Sequence, residues 1–289
     1  MGNMVKTTFL LALLTVFLVA VGGVLGGRGG VMLAFGLAIV MNLGSYWFSD
    51  RIVLAMYRAK EIAPSEHPEL QRAVRRISQA AGLPLPRLFI VPQPGLNAFA
   101  TGRNPQHAVV AVTEGLLAHL DGPELEGVLA HELAHVKNRD ILVSAIAATL
   151  AGAIMFIADM ARWASIFGGF GGRDGEERGN PLALLVAAIV APLAAMLVQM
   201  AISRSREYQA DATGAGLLGS GEGLARALEK LATAGRLLPT EAPAAASHVL
   251  IVSPLSGGGL FTLFSTHPPI EERIARLRRS NALLRVHQQ

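Results

Sequence analysis

The sequence predicts an integral membrane α-helical protein with four transmembrane helices and a cytoplasmic α+β domain. Three observations carry that expectation: where charge is missing, where Lys and Arg cluster, and where short strands alternate with amphipathic helices. Charged residues make up only 16% of the 289 residues, and 52% are hydrophobic before the 31 Gly are counted. A soluble domain has ~25% charged residues and ~45–50% apolar ones with Gly included. The deficit is local. Thr7–Gly27, Gly29–Ser49, Ile141–Ala158 and Gly179–Ser203 hold no charge, so the other segments carry charge at a soluble protein's density. This pattern excludes disorder, a collagen-like chain and a single ordinary globular domain.

A bilayer core takes about 20 apolar helical residues, with a range of ~17–25. The first two blocks, separated by Arg28, are expected as a tight transmembrane hairpin. A long apolar run with only Lys6 beside it, and a second span directly behind it, argues against a cleaved signal peptide. The third block is short and Ala-rich and the fourth contains Pro192; both are expected to span, with a buried core helix or a shallow hairpin as the alternative for either. Orientation follows from the basic residues flanking the spans. Arg51, Arg58 and Lys60 follow the second, Lys137 and Arg139 precede the third, and Arg204 and Arg206 follow the fourth. The loop between the third and fourth blocks is net acidic. The large polar segments and both chain ends are therefore expected in the cytoplasm. The absence of cysteine agrees with a reducing compartment.

The polar segments have their own periodicities. Leu70, Val74, Ile77 and Ala81 recur at helical spacing within 64–82, and Gly82 supplies a stop. Residues 88–91, 96–101 and 108–113 form three short strands with Gly and Pro punctuation. Asp121, Pro123 and Glu124 then cap a helix that runs without a breaker into the third block. Further helical patterns follow the fourth block, cover about 222–235, and close the chain, where Ile270, Ile274 and Leu277 share a face. Arg273, Arg276, Arg278 and Arg279 come without the aromatic or Gly-rich pattern of a nucleic-acid binder, so no nucleic-acid partner is expected. They fit a solvated helix face or contact with anionic headgroups. The Gly-rich run at 167–175 lacks the ending of a phosphate-binding loop.

The chemistry concentrates in His131-Glu132-Leu133-Ala134-His135. Two histidines four apart on a helix share a face and can reach one ion, and the adjoining glutamate can move the proton of an ion-activated water. A hydrolytic zinc takes three protein ligands and leaves one position open. Residue 141, where a third histidine of the extended motif would stand, is Ile141. The third ligand is therefore distant, with Glu207, Asp211, Glu222, His248 and His267 as candidates and Glu207 the best placed. Glu207 and Asp211 lie four apart on one helix face, a like-charge pair that a nearby cation would justify. An acid at that spacing serves equally as a ligand or as the acceptor that fixes a ligand histidine's tautomer. His131 and His135 precede the third block and Glu207 follows the fourth, so an intact site needs an even number of crossings between them.

These motifs, in their order, resemble the HtpX-type membrane zinc metalloproteases, relatives of the CaaX prenyl-protein proteases. The resemblance rests on two leading apolar segments, NAFATG at 97–102, HELAHVKNRD at 131–140, two further apolar segments, SRSREYQAD at 203–211 and STHPPIEERI at 265–274. It implies one Zn2+ per chain held by His131, His135 and Glu207, with Glu132 as general base and Asp211 orienting one of the histidines. It also implies a gluzincin-like α+β catalytic domain that cleaves misfolded or damaged membrane proteins at the cytoplasmic side of a bacterial inner membrane. The expected organisation is a membrane hairpin over 1–50, protease segments over 51–140 and 204–289, and the third and fourth membrane segments with a Gly-rich loop over 141–203. Polypeptides, chiefly membrane proteins, and the lipid bilayer are the expected partners.

Accessory roles are expected for three groups. The strand Asn97, Ala98, Phe99, Ala100, Thr101 can pair with an extended substrate. His267 can donate to the developing oxyanion. Arg204 and Arg206 can neutralise acids near the metal or contact headgroups. Asn138 and Asp140 are expected to belong to the helix's hydrogen-bond network, and 236–265 to restrict access. A narrower processing protease, and a scaffold or transporter with a structural metal, are the competing functions; uncharged spans disfavour the transporter.

Overall fold

The computed structural model describes residues 3–63, 65–147, 204–234 and 268–286. A long helix α1 (Asn3–Met56) leads into a small sheet and a helical layer. The strands are β1 (Lys60–Glu61), β2 (Arg87–Val91), β3 (Ala98–Thr101) and β4 (Val109–Thr113). The helices that follow α1 are α2 (Pro68–Ala81), α3 (Glu114–His119), α4 (Gly122–Lys137), α5 (Arg204–Leu218), α6 (Glu222–Ala234) and α7 (Ile270–Val286).

Helix α1 is bent back on itself. Gly27 has φ +54°, which a residue with a side chain adopts only under strain. The two legs meet: Asn42 Nδ2 donates to Leu11 O at 3.3 Å and to Thr15 Oγ1 at 2.9 Å. Leu10, Leu14, Leu18 and Ala38 close the seam, joined by Val143, Ile146 and Ala147 from the helical stretch 141–147.

The expectation of four transmembrane helices is corrected here. Among the described residues one helix, Gly27–Met56, is long and apolar enough to cross a membrane. The first leg holds a shorter apolar helix, Thr8–Ala20. Six Gly within 22–30 interrupt the uncharged block, and a charge-free run is not by itself an apolar helix of spanning length. The third block is described only to Ala147, and the fourth lies outside the described residues. The multi-pass inner-membrane placement is corrected with it. The Gly27–Met56 helix still exposes a continuous apolar face; Met32 is 77% and Leu33 78% exposed.

The sheet has the order β1-β2-β4-β3, with β2 and β4 parallel and the outer strands antiparallel to their neighbours. Strand alternation divides its two faces cleanly. Leu88, Ile90, Ala98, Val110 and Val112 face the helical layer, packing with Val74, Ile77, Val128 and Leu129. Phe89, Val91, Phe99, Val109 and Ala111 face the end of α1, packing with Val53, Leu54 and Tyr57. The sheet is thus covered on both sides, which is why β4 is fully buried. The mixed α+β domain agrees with the strand and helix periodicities.

Helix α4 is the centre of the helical layer, in contact with α2, α5, α6 and β3. Its start is capped reciprocally: Glu124 N donates to Asp121 Oδ1 at 2.9 Å, and Asp121 N to Glu124 Oε2 at 3.0 Å. Its end departs from expectation. The helix stops at Lys137, Arg139 takes φ +59°, and a new helical stretch starts at 141.

Candidate active site

The HELAH motif occupies the last two turns of α4, where His131 and Glu132 are buried and His135 is half-buried. Helix α5 crosses this point closely. A Cβ on Gly214 would lie 3.0 Å from Ala130 C and His131 N, so glycine there lets the backbones approach. That approach brings Glu207 and Asp211, respectively two turns and one turn earlier on α5, to the two histidines.

The resulting geometry has a clear donor set. His131 Nε2 is 3.2 Å from His135 Nε2 and 3.6 Å from Glu207 Oε2, and His135 Nε2 is 3.5 Å from Glu207 Oε1. Each of the three residues offers one ligand atom within 4.8 Å of the others. A tetrahedral ion with ligand bonds of ~2.1 Å has donor atoms ~3.4 Å apart. The three residues fit such an ion, and the chemistry of the set, two imidazoles and a carboxylate, suits it.

Both histidines are oriented from behind. His131 Nδ1 lies 2.8 Å from Asp211 Oδ1, and His135 Nδ1 lies 3.3 Å from Asp140 Oδ2. Each Nδ1 thereby faces a carboxylate while each Nε2 points to the shared centre. Asp140 reaches His135 because the chain turns at Arg139, which also lets Asp140 N donate to His135 O at 2.9 Å. Asp140 thus does more than join a helix network, whereas Asp211 takes one of the histidines expected of it.

Arg273 is the residue that the composition of the C-terminal helix conceals. It is 1% exposed, neither solvated nor at a headgroup surface. Its Nε donates to Asp211 Oδ2 at 2.9 Å and its Nη2 to Asp211 Oδ1 at 2.7 Å, with Nη1 3.7 Å from Glu207 Oε2. The signal was present in sequence: residue 273 falls within the helical face of Ile270, Ile274 and Leu277. Arg206 is also buried, with Nη1 4.0 Å from Asp140 Oδ1, while Arg204 is exposed. Of their two expected roles, Arg206 takes the one beside the acids.

These contacts set the protonation landscape. Burial pushes His131 down, but the Asp211 and Glu207 carboxylates outweigh it and raise it to about 10. Burial raises Asp211, yet the Arg273 guanidinium dominates and holds it at about 2. Glu132 is raised, chiefly by burial, with Glu207 adding and the two histidines opposing. A buried glutamate with a raised pKa is suited to accept a proton near neutrality.

Strand β3 forms the sheet edge beside this centre. Thr113 N donates to Asn97 O at 2.9 Å, so the odd positions of β3 bond to β4. Ala98 and Ala100 present their backbone groups to the open edge, and Ala100 N donates to Glu132 Oε2 at 2.9 Å. Asn97 and Thr101 are buried, and Phe99 faces away, its ring 4.9 Å from Tyr57. His267 and 236–265 lie outside the described residues.

The sequence profile of Peptidase family M48 matches residues 64–281. The chain is 58% identical over 277 residues to a protein named Protease HtpX homolog from Desulfatibacillum aliphaticivorans, covering 96% of this chain and 89% of that protein. It is 53% identical over 279 residues to a Protease HtpX homolog from Pyrococcus furiosus, covering 96% of each. Among solved structures, S. mikatae Ste24p has a similar fold, with a TM-score of 0.52 at 19% identity over 95% of this chain and 65% of that one. This chain thus spans somewhat less than two thirds of the Ste24p chain. With a His-Glu-x-x-His helix and a distant glutamate converging on one centre, the chain belongs to peptidase family M48, in its HtpX branch, and is a metalloendopeptidase.

Proposed function

We propose that the protein is a zinc-dependent endopeptidase that hydrolyses misfolded or damaged membrane proteins. The convergence of His131 Nε2, His135 Nε2 and a Glu207 carboxylate oxygen, with Glu132 in the adjoining turn, carries the reading. His131, His135 and Glu207 hold one zinc ion, which supplies Lewis acidity to a water molecule and to the scissile carbonyl. Asp211 and Asp140 keep the two imidazoles turned so that Nε2 faces the centre. Glu132 accepts the proton of the attacking water and returns it to the departing amine nitrogen. The open edge of β3 at Ala98 and Ala100 receives the substrate as an added strand. Ala100 N–H steadies the Glu132 carboxylate beside that strand. A long apolar helix that packs on the opposite face of the same sheet supports substrates that reach the site from a membrane.

Zinc content and peptide hydrolysis are measured together on the parent and two variants. Glu132→Gln is expected to retain zinc and lose hydrolysis by about 100-fold or more. Glu207→Ala is expected to lose zinc. Hydrolysis at the parent rate by Glu132→Gln, or full zinc in Glu207→Ala, would overturn the assignment.

A further inference from the structure

A cavity of about 650 Å³ lies between the last turns of α1 and one end of the sheet. It shares no residue with the catalytic centre. Trp47, Phe48 and Arg51 line it from α1, Arg87 opens β2, Arg103 follows β3, and His107 ends the short turn before β4. Three arginines converge on it, and their charges are unequally matched. Arg87 donates to Asp50 Oδ2 at 2.9 Å and lies 3.7 Å from Glu61. Among the described residues, neither Arg51 nor Arg103 is paired with a carboxylate.

Both unpaired arginines are held by rings instead. Arg103 lies 4.7 Å from the centre of the Trp47 ring, and Arg51 lies 5.6 Å from that of Phe48. Arg103 Nη2 also sits 2.7 Å from His107 Nε2. A guanidinium only donates, so His107 Nε2 is the acceptor, and its Nδ1–H donates to Asn104 Oδ1 at 2.7 Å. The Arg103 fork is therefore fixed with its charge uncompensated.

Depth identifies what such a cavity meets. From Val31 to Phe48 the helix exposes large apolar side chains, and Asp50 and Arg51 are its first charges after Arg28. Trp47 and Phe48 stand where aromatic residues mark the boundary between hydrocarbon and water. Phosphate groups lie at that level, and arginine is the side chain best matched to a phosphate's oxygens. We propose that the cavity binds the phosphate headgroup of an anionic phospholipid. Arg51 and Arg103 bind the phosphate, and Trp47 and Phe48 lie against the glycerol and upper acyl chains. Because Arg103 follows closely on β3, a bound lipid ties the strand that borders the catalytic centre to the bilayer surface.

The test uses the full chain with Trp163→Phe, which leaves Trp47 as its one tryptophan. The protein is reconstituted in phosphatidylcholine vesicles carrying a minor fraction of brominated lipid, and Trp47 fluorescence is recorded. Brominated phosphatidylglycerol is expected to quench well beyond the same fraction of brominated phosphatidylcholine. Arg103→Gln should weaken that preference about fivefold, and Arg51→Gln with Arg103→Gln about thirtyfold. Arg72→Gln, at an exposed position on α2, should leave it unchanged. Equal quenching by the two lipids, or no quenching by either, would overturn the proposal. So would loss of the preference on adding inorganic phosphate at constant ionic strength, because the ligand would then be a free anion. The comparison of lipids needs no change to either arginine and stands even if the double variant does not fold.

Discussion

Single residues decide the electrostatics of the catalytic centre. Arg273 binds Asp211 through two donors while lying near Glu207, so it balances the acid behind His131 and the one at the shared centre. Removing one partner of such a buried set leaves an uncompensated charge and costs about 3–5 kcal/mol. Arg273→Gln is therefore expected to lower the thermal midpoint and the metal content of the purified chain. Arg273→Lys should restore little, because a point charge cannot replace the two-donor fork. The same pair makes an acid-stability prediction. Asp211 is depressed from 3.8 to about 2 in the folded chain, so its contribution is complete above 3.8. That contribution is lost as pH falls through about 2. Without Arg273 the largest cause of the depression is gone and only His131 still opposes burial, so the acid unfolding of Arg273→Gln, followed by near-ultraviolet circular dichroism, is expected at higher pH than the parent's. His131 and His135 were legible from helical spacing, and the need for a third ligand left Glu207 as the best placed of several candidates. The place of Arg273 was obscured because a run of arginines resembles a solvated face; its position among Ile270, Ile274 and Leu277 was the contrary signal.

Elements bring these residues together through close helix crossings. Gly127 allows α4 to approach the start of α6, where an added Cβ would run into Leu224 N. Gly214 does the same between α5 and α4. Gly127→Ala is expected to cost about 1–3 kcal/mol by overpacking a backbone contact. Thermal unfolding of the metal-loaded chain checks it, and an unchanged midpoint would refute the packing argument. Element boundaries were legible where a local signal sets them: the capping box at Asp121 and Glu124, and the β-branched run of β4. The interruption between Lys137 and residue 141 was not. No Gly or Pro marks it, and the turn is held by contacts of Asp140 with His135. Strand β1, two residues long, is below the length at which alternation carries information.

For the whole molecule, the sheet is the layer that joins the long apolar helix α1 to the catalytic centre. Tyr57, 1% exposed and packed on Phe99, fills the junction. Burial raises its phenol well above the ordinary value, so it remains neutral and acts as packing. Tyr57→Ala is expected to cost about 3–5 kcal/mol as a large-to-small change, lowering the thermal midpoint without emptying the metal site; loss of metal instead would show that the junction also sets the site. The sequence by itself determined the α+β class, three of the four strands and the capped helix that carries the two histidines, because each rests on local periodicity or on fixed spacing along a helix; it left Glu207 as the best placed of several candidates to join them. It did not determine the number of membrane crossings, since absence of charge measures composition and not the length of unbroken apolar helix. Only the tertiary structure decided which acid faces which histidine, that Arg273 is buried against Asp211, and that β3 turns the edge of Ala98 and Ala100 toward Glu132. Those pairings join residues as far apart in sequence as His131 and Asp211, and their geometry is set by how closely helices α4, α5 and α7 pack.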